Sequence, residues 1–311
     1  MDSCAKSLQV VRLVGLVAFG AALVLAQQPQ APSQPPPGKA KQDPPIRVDV
    51  ELVQVPLSVL DPWGRIVTGL GMGNFRVMEN DVEQEVVSVQ TEDVPISVGI
   101  VFDKSGSMGI NSAIQSARLM SSQFFKTGNL RDEFMVVAFD GRAQLVSPFT
   151  DTVDKLRMDL MYTKAGGMTA LNDAIYLGLH QMRTGKHSRK ALIVITDGEE
   201  NRSRYSDKDV EQAAIEADTQ IYVIGAHRAY EAGMLGKISS KTGGRWFGYS
   251  HYEDTASHIW NELRNQYVLA YRSSDRARDG KWRKIKVLLK VPRGLPPLKV
   301  YAKSGYLAPK Q

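Results

Sequence analysis

Cysteine is nearly absent: Cys4 is the only one in 311 residues. Beyond that position, thiol nucleophiles, disulfide staples and cysteine-based metal sites are excluded. Histidine is scarce too. The five histidines (His180, His187, His227, His251 and His258) show no H-E-x-x-H or comparable ligand spacing. His251 and His258 stand seven apart, but His251 is read as preceding the helix that carries His258, so surface or capping roles suit all five. Neither G-x-G-x-x-G nor G-x-x-x-x-G-K-[ST] follows the first strand of the α/β region, which removes a nucleotide-binding reading. Ser107 sits in Gly106-Ser107-Met108-Gly109 rather than in a G-x-S-x-G elbow, and no convincing Asp/His partners follow it. No segment after residue 26 approaches the length of a membrane span.

Before residue 26 the composition differs. Lys6 and Arg12 precede an apolar stretch, Leu13 to Ala26, that ends in Val24-Leu25-Ala26. A basic start, a short apolar run and small residues at its end predict a secretory signal over residues 1–26. An uncleaved anchor is the alternative. Cleavage after Ala26 would remove Lys6, Arg12 and Asp2, taking the formal charge from +6 to +5. That mild basic balance suits solubility and gives no argument for nucleic-acid binding. The expected location is exported, periplasmic or extracellular. Residues 27–45, rich in Pro, Gln and Lys around Pro35-Pro36-Pro37, lack the apolar residues to pack and read as a disordered tether.

The remainder divides by periodicity. Residues 46–93 read as β-structure. Ile46, Val48, Val50 and Leu52 alternate with polar residues, and then Val53, Val55, Leu57 and Val59 take over the apolar phase. The slip predicts a bulge, and Pro56 predicts an edge strand. Phe75–Met78 and Val82–Val89 flank Asn80-Asp81, a hairpin signal. From residue 94 to 267, nearly continuous apolar strands alternate with helical patterns. The strands are Ile96–Phe102, Phe134–Phe139, Leu192–Thr196 and Gln220–Gly225. The helices are expected over Val153–Met161, Leu171–Met182, Asp207–Ala217 and Asp254–Gln266, and a first one carries Ala113, Ala117, Met120 and Phe124 on one face. This alternation predicts an α/β fold with a doubly wound, mostly parallel sheet. Residues 233–244 show no clear periodicity. Residues 268–311 return to β-structure. There Ile285, Val287, Leu289 and Val291 oppose Lys284, Lys286 and Lys290, Val268–Tyr271 is expected to pair with this strand across Asp279-Gly280, and Leu298–Tyr301 supplies a further strand. Economy of burial predicts that 46–93 and 268–311 pack together as a β-sandwich-like domain around the inserted α/β region.

The most informative stretch is Asp103-Lys104-Ser105-Gly106-Ser107, placed directly after a buried strand. Thr169 follows Gly166-Gly167 ahead of a helix, and Asp197 ends the run Ala191 to Thr196. Ligands bind beyond the carboxyl ends of strands in open parallel sheets, and these three junctions share that edge. Two carboxylates and three hydroxyls form a hard-oxygen set suited to Mg²⁺, with Mn²⁺ or Ca²⁺ as alternatives. With only two anions the ion would stay electrophilic and accept one more carboxylate. Each residue also has a plainer role: Ser107 could cap a helix near Gly109, Thr169 could cap the helix from Leu171, and Asp197-Gly198 could be a turn. The five positions together favour the metal.

This pattern, D-x-S-x-S followed by Thr and then Asp, resembles the metal-ion-dependent adhesion site (MIDAS) of von Willebrand factor type A (VWA) domains, at Asp103, Ser105, Ser107, Thr169 and Asp197. The resemblance covers residues 94–267. With Val67-Thr68-Gly69-Leu70, Asn74-Phe75-Arg76 and Gly305-Tyr306, the whole chain resembles the bacterial VWFA-related proteins frequent in acidobacteria. It implies that the serines bind metal directly, that the threonine and aspartates bind directly or through water, and that a protein partner's Asp or Glu completes the shell. Asp173 and Glu199 lie near these loops and could steady waters, although a solvated role suits Glu199 better. The expected function is a secreted adhesion or scaffold module, not an enzyme, with no nucleic acid involved. The alternatives are a metal-dependent hydrolase, or an envelope protein that binds anionic polymers through the Lys281–Lys290 face.

Overall fold

The structure is a computed structural model that describes residues 52–91, 93–226, 233–248 and 252–310. The described residues belong to one compact unit, Asp49–Gln311. The predicted signal and tether, the alternation at 46–51, His227 and His251 lie outside the described residues. Among the described residues no helix is long and apolar enough to cross a membrane.

Three strands open the fold: β1 (Leu52–Leu60), β2 (Phe75–Glu79) and β3 (Val82–Thr91). Asn80 (φ 47°) and Asp81 (φ 64°) make the two-residue turn between β2 and β3. Both tolerate the left-handed region, as a type I′ hairpin turn demands. The α/β region comes next with β4 (Ile96–Asp103), α1 (Ala113–Thr127), β5 (Glu133–Phe139), β6 (Ala143–Thr150), α2 (Val153–Met161), α3 (Leu171–Met182), β7 (Arg189–Thr196), α4 (Asp207–Glu216), β8 (Gln220–Gly225), α5 (Met234–Thr242), β9 (Trp246–Phe247) and α6 (Tyr252–Arg264). Its sheet runs in the order β6-β5-β4-β7-β8-β9. Every pairing is parallel except β5 with the edge strand β6.

Period-two alternation divides the core between the two faces of this sheet. Ile96, Val98, Ile100 and Phe102 of β4 pack with Ala117, Met120 and Phe124 of α1 and with Ile259, Trp260 and Leu263 of α6. Val101 faces the other way, toward Ala174, Ile175 and Leu179 of α3. Gly99 lies between those inward-facing residues. A Cβ there would stand 2.5 Å from Met135 Cε and 2.7 Å from Leu192 Cδ1, so the missing side chain lets α3 seat closely. Residues 233–244, without periodicity in the sequence, form α5. Gly233 (φ 107°) enters it and Gly243 (φ 81°) ends it. The glycines at both ends, and a buried face in which Leu235 and Ile238 are joined by the polar Ser239 and Thr242, explain why no apolar helical pattern was legible.

Strands β10 (Tyr267–Arg272), β11 (Trp282–Leu289), β12 (Lys299–Ala302) and β13 (Gly305–Leu307) complete the chain. They join β1–β3 in one seven-stranded antiparallel sheet, ordered β12-β1-β10-β3-β2-β11-β13. The two flanking segments thus interleave in a single hydrogen-bonded sheet curled over its own core of Val55, Leu57, Phe75, Val77, Tyr267, Leu269, Tyr271 and Ile285. Three expectations are corrected. β10 does not pair with β11; it lies between β1 and β3. The connection after β10 instead crosses the sheet, anchored by Ser273 Oγ donating to Glu79 (2.7 Å) and by the Ser274 amide donating to Gln84 (2.8 Å). β1 is interior, although it carries Pro56. Its β12 pairing begins only at Leu57, so the proline falls outside the two-sided stretch. The bulge lies opposite Ala270/Tyr271 in the β10–β3 pairing, and the described register of β1 runs without a shift.

A buried polar cluster ties the α/β region to this sheet. Gln266 Nε2 donates to Gln220 Oε1 (2.9 Å) and reaches Ser58 Oγ of β1 at 3.5 Å. Arg245 donates to Glu262 Oε2 of α6 (3.0 Å) while its guanidinium lies 4.8 Å from the ring centres of Phe247 and Tyr301. The other Glu262 oxygen, Oε1, is buried with no partner among the described residues. Burial pushes the Glu262 carboxyl up to about 7, and the Arg245 charge and hydrogen bond only partly oppose it. The folded state therefore prefers the protonated acid, and this contribution to stability is present below pH 4.5 and is lost as pH rises through 7. Glu262→Gln should leave stability near pH 4.5 almost unchanged and raise it at pH 8 by roughly 3 kcal/mol relative to wild type. Denaturant titrations at both pH values test this, and identical pH profiles for the two proteins would refute it.

Candidate metal centre

The site forms at the carboxyl edge of the parallel sheet. Asp103 is the last residue of β4, and Asp197 follows β7 directly. Parallel register with β5 and β7 brings the ends of β4 and β7 side by side. The Asp103 side chain is wholly buried. Its Oδ1 accepts from the Ser105 amide (2.8 Å) and its Oδ2 from Thr196 Oγ1 (2.6 Å). Ser105 Oγ and Ser107 Oγ stand 3.1 Å apart. Among the described residues neither Asp103 nor Asp197 belongs to an ion pair. Burial pushes the Asp103 carboxyl up to about 6, its hydrogen bonds resist the rise, and the nearby Asp197 charge adds to it.

The three loops are hydrogen-bonded to one another. The Gly106 amide donates to the Gly167 carbonyl (3.0 Å), and the Gly166 amide donates to the Lys104 carbonyl (2.9 Å). A Cβ at Gly106 would approach the Gly167 carbonyl oxygen at 3.1 Å, so close contact between the first two loops favours glycine. Asn201 clamps the second loop to the third. The Thr169 amide donates to Asn201 Oδ1 (2.9 Å), and the Asn201 amide donates to the Thr169 carbonyl (3.1 Å). Asp140, after β5, supports the same edge. Its carbonyl accepts from Ala170 (2.7 Å), and its carboxylate pairs with Lys104, the variable residue of the first motif.

The plainer roles for these hydroxyls are not the ones they fill. The short 3-10 helix Gly106–Ser112 has Ser105 at its N-cap, and α1 has Ser112; neither makes a side-chain capping bond. The N-cap of α3 is Ala170. The exposed amides of α3 are satisfied from the third loop instead: the Asn172 amide donates to Glu200 (2.8 Å) and the Asp173 amide to Ser203 Oγ (3.0 Å). Thr169, itself buried, keeps a side-chain hydroxyl with no hydrogen-bond partner among the described residues. A desolvated carboxylate without a basic neighbour, next to hydroxyls that cap nothing, is a donor set that fits a hard divalent cation. No cluster of three or more His, Cys, Asp or Glu with metal-holding geometry occurs among the described residues, so such an ion would rest on hydroxyls as much as on carboxylates.

Glu199 matches the solvated role expected for it, and Asp173 does not. Asp173 accepts from the Arg204 and Tyr205 amides (2.8 and 3.1 Å) and pairs with the Arg204 guanidinium, so it fixes the third loop. These bonds hold its carboxyl below the usual range against some desolvation. Glu199 is exposed. Its neighbour Glu200 accepts four bonds, from Asn172, Arg202 and the amide and hydroxyl of Ser203. Sequence reasoning missed Thr196, Asn201, Glu200 and Asp140. The only available signal was the density of short polar side chains after Asp197 and after β5, and that composition also describes an ordinary loop. Among the described histidines, His180 ends α3 and His187 precedes β7, both at the opposite edge of the sheet, and His258 lies exposed on α6.

Comparison with known proteins agrees with this architecture. The model of the von Willebrand factor type A domain matches residues 97–261. The magnesium-chelatase 67 kDa subunit of Chlorobaculum parvum is 27% identical over 190 residues, covering 51% of this chain and 31% of that protein. Its counterpart from Chlorobaculum tepidum is 29% identical over 167 residues, covering 47% and 27%. The chain thus spans less than a third of the length of these curated relatives. Among solved structures, an aerotolerance-related membrane protein from Bacteroides fragilis is 19% identical, with 54% of this chain and 98% of that one covered at a TM-score of 0.46. A von Willebrand factor type A protein from Catenulispora acidiphila is 14% identical, with coverage of 83% and 75% and a TM-score of 0.48. Matched by its family model over more than half its length, the chain belongs to the von Willebrand factor type A domain family.

Proposed function

We propose that this protein is an exported, non-enzymatic adhesion or scaffold module that holds Mg²⁺ on Asp103, Ser105, Ser107, Thr169 and Asp197 and binds a protein partner through that ion. The observation that carries the reading is the wholly buried Asp103 carboxylate, which has hydroxyl and amide donors but no basic partner. A bound dication would supply the missing positive charge and an electrophilic position for a carboxylate from outside. The chain's own residues keep the donor loops in register: Thr196 orients Asp103, Asn201 holds Thr169, and Asp173 with Glu200 fixes the loop after Asp197. No histidine stands near Ser107 among the described residues, and its hydroxyl contacts only that of Ser105, which disfavours a hydrolase. The name of the curated relatives concerns magnesium, but the similarity spans too little of them to bring an activity across. Export rests on the predicted signal. The curled sheet of β1–β3 and β10–β13 would act as the stalk that presents the binding edge.

Two measurements test the metal. Calorimetric titration with Mg²⁺ should show one site in the wild type and at least about a tenfold loss of affinity in Asp103→Ala, since removing one ligand or its support commonly costs that much. Equal affinities in the two proteins would remove the proposal. Asn201 should act as a positioning residue. Asn201→Ala should weaken Mg²⁺ binding by about tenfold, while Asn201→Asp, which keeps the acceptor for the Thr169 amide, should recover most of it. Thermal unfolding in EDTA separates this from general destabilisation: a loss of affinity that merely tracks the metal-free melting temperature would deny Asn201 the role.

A further inference from the structure

We propose that the rim of this site is shaped for an acidic peptide segment in which the metal-seeking carboxylate is flanked by apolar side chains; the inference rests on the metal-bridge reading above. Two exposed apolar residues stand beside the donor loops: Ile110 is 56% exposed and Met168 is 46% exposed. Neither belongs to a core cluster. Met168 immediately precedes Thr169 and is seated over Gly141, whose Cβ position would lie 3.7 Å from its own Cβ. The Arg202 guanidinium of the third loop reaches the Met168 sulfur at 3.7 Å. The first two loops meet where Gly109 faces Ala165, again with 3.7 Å to an added Cβ. Ile110 stands just before Asn111 (φ 50°) and Ser112 (φ 61°), two consecutive left-handed residues without glycine's freedom. Such a conformation costs about 1–2 kcal/mol per residue. The chain therefore keeps an apolar side chain in water next to locally unfavourable backbone, at the edge where a partner would approach.

The charges on the same loops select the partner. Arg142, Lys164 and Arg202 are exposed and form no ion pair among the described residues. Lys104 is neutralised by Asp140, and Arg204 by Asp173. Apart from Asp197 itself, the acids of these loops are Glu199, which is exposed, and Glu200, whose oxygens take four internal hydrogen bonds. With Asp103 and Asp197 offset by the dication, three unpaired cations face the two carboxylates Glu199 and Glu200, and this small positive excess favours an acidic partner over a basic one. An anionic glycan would satisfy the cations but leave Ile110 and Met168 uncovered. A peptide with an Asp or Glu for the ion, an apolar neighbour for Ile110 and Met168, and a further acid for Arg202 satisfies all three features.

An array of octapeptides carrying a central Asp or Glu, with flanks varied among Leu, Phe, Ser, Asp and Lys, tests this with the full chain in Mg²⁺ and in EDTA. Binding should require Mg²⁺, favour apolar flanks with a second acid, and weaken when Lys replaces that acid. Arg202→Glu and Met168→Ser should each lower peptide affinity by about three- to tenfold while leaving calorimetric Mg²⁺ affinity within about twofold. Mg²⁺-dependent binding that is indifferent to the flanks, or unchanged in both variants, would overturn the rim assignment and leave the metal bridge standing. Stronger competition by polygalacturonate than by the best acidic peptide would overturn it in favour of a glycan. Mg²⁺ binding without capture of any peptide would also overturn it. Absence of Mg²⁺ binding would remove the underlying reading and this inference with it.

Discussion

The buried Asp103 carboxylate is the constraint on which the rest of the site depends. It lies at the end of a strand covered on both faces, with no solvent access. Hydrogen bonds from Ser105 and Thr196 favour the ionised form, each charge-assisted bond contributing about 1.5–3 kcal/mol. Desolvation still wins, because the carboxyl remains raised from 3.8 to about 6. That residual shift corresponds to roughly 3 kcal/mol against the anion. An acid left in that condition is a standing cost to the fold, and a neighbouring lysine or arginine would relieve it. The chain does place a lysine next to it in sequence, yet Lys104 is drawn away to Asp140. The positive charge is withheld from Asp103, and the Thr169 hydroxyl is left without a hydrogen-bond partner among the described residues.

This explains why so much of the adjoining structure serves to hold loops. Parallel strands deliver their carboxyl ends to one edge but do not order the loops that extend beyond it. Here the ordering comes from side chains reaching across sequence separations of about thirty residues: Asn201 to Thr169, Glu200 to Asn172 and Asp173 to Arg204. These bonds also settle the helix ends. The first-turn amides of α3 take Glu200 and Ser203 as acceptors, so the local Thr169 is not consumed as a cap. A loop that caps a neighbouring helix and a threonine freed from capping are one arrangement seen from two sides.

How much of the fold was legible in the sequence depends on the range of the interactions. Strand and helix periods of the α/β region reflect burial on fixed faces, so Val153–Met161 and Leu171–Met182 were bounded correctly from pattern alone. Asp103 and Asp197 were legible as polar residues at the ends of the buried strands β4 and β7, whereas Thr169 lies between α2 and α3 and had only its preceding glycines to mark it. The flanking sheet was legible only in part. Its strands could be found, and the Asn80-Asp81 turn with them, but neighbours could not. Alternation says which face is apolar and nothing about which strand lies alongside. The pairing of β10 with β1 and β3 depends on contacts nearly two hundred residues apart, such as the Tyr271 hydroxyl on Glu79 (2.6 Å). Helix α5 buries Leu235, Ile238, Ser239 and Thr242, and the two polar residues among these four left no apolar period to read.

The polar groups at the two edges of the α/β sheet serve different ends. At the amino edge the polar groups are paired inward: Gln266 with Gln220, Arg245 with Glu262, Ser97 Oγ donating to Glu133 at 2.6 Å. These bonds join residues within the region, although Glu262 Oε1 and Gln266 Oε1 stay buried without a partner among the described residues. At the carboxyl edge the Thr169 hydroxyl has no hydrogen-bond partner among the described residues, and the guanidinium of Arg202 has no ion pair there. Leaving that edge open, while fixing every loop around it by hydrogen bonds, holds a binding position ready at a cost the well-packed core of two covered sheet faces can carry.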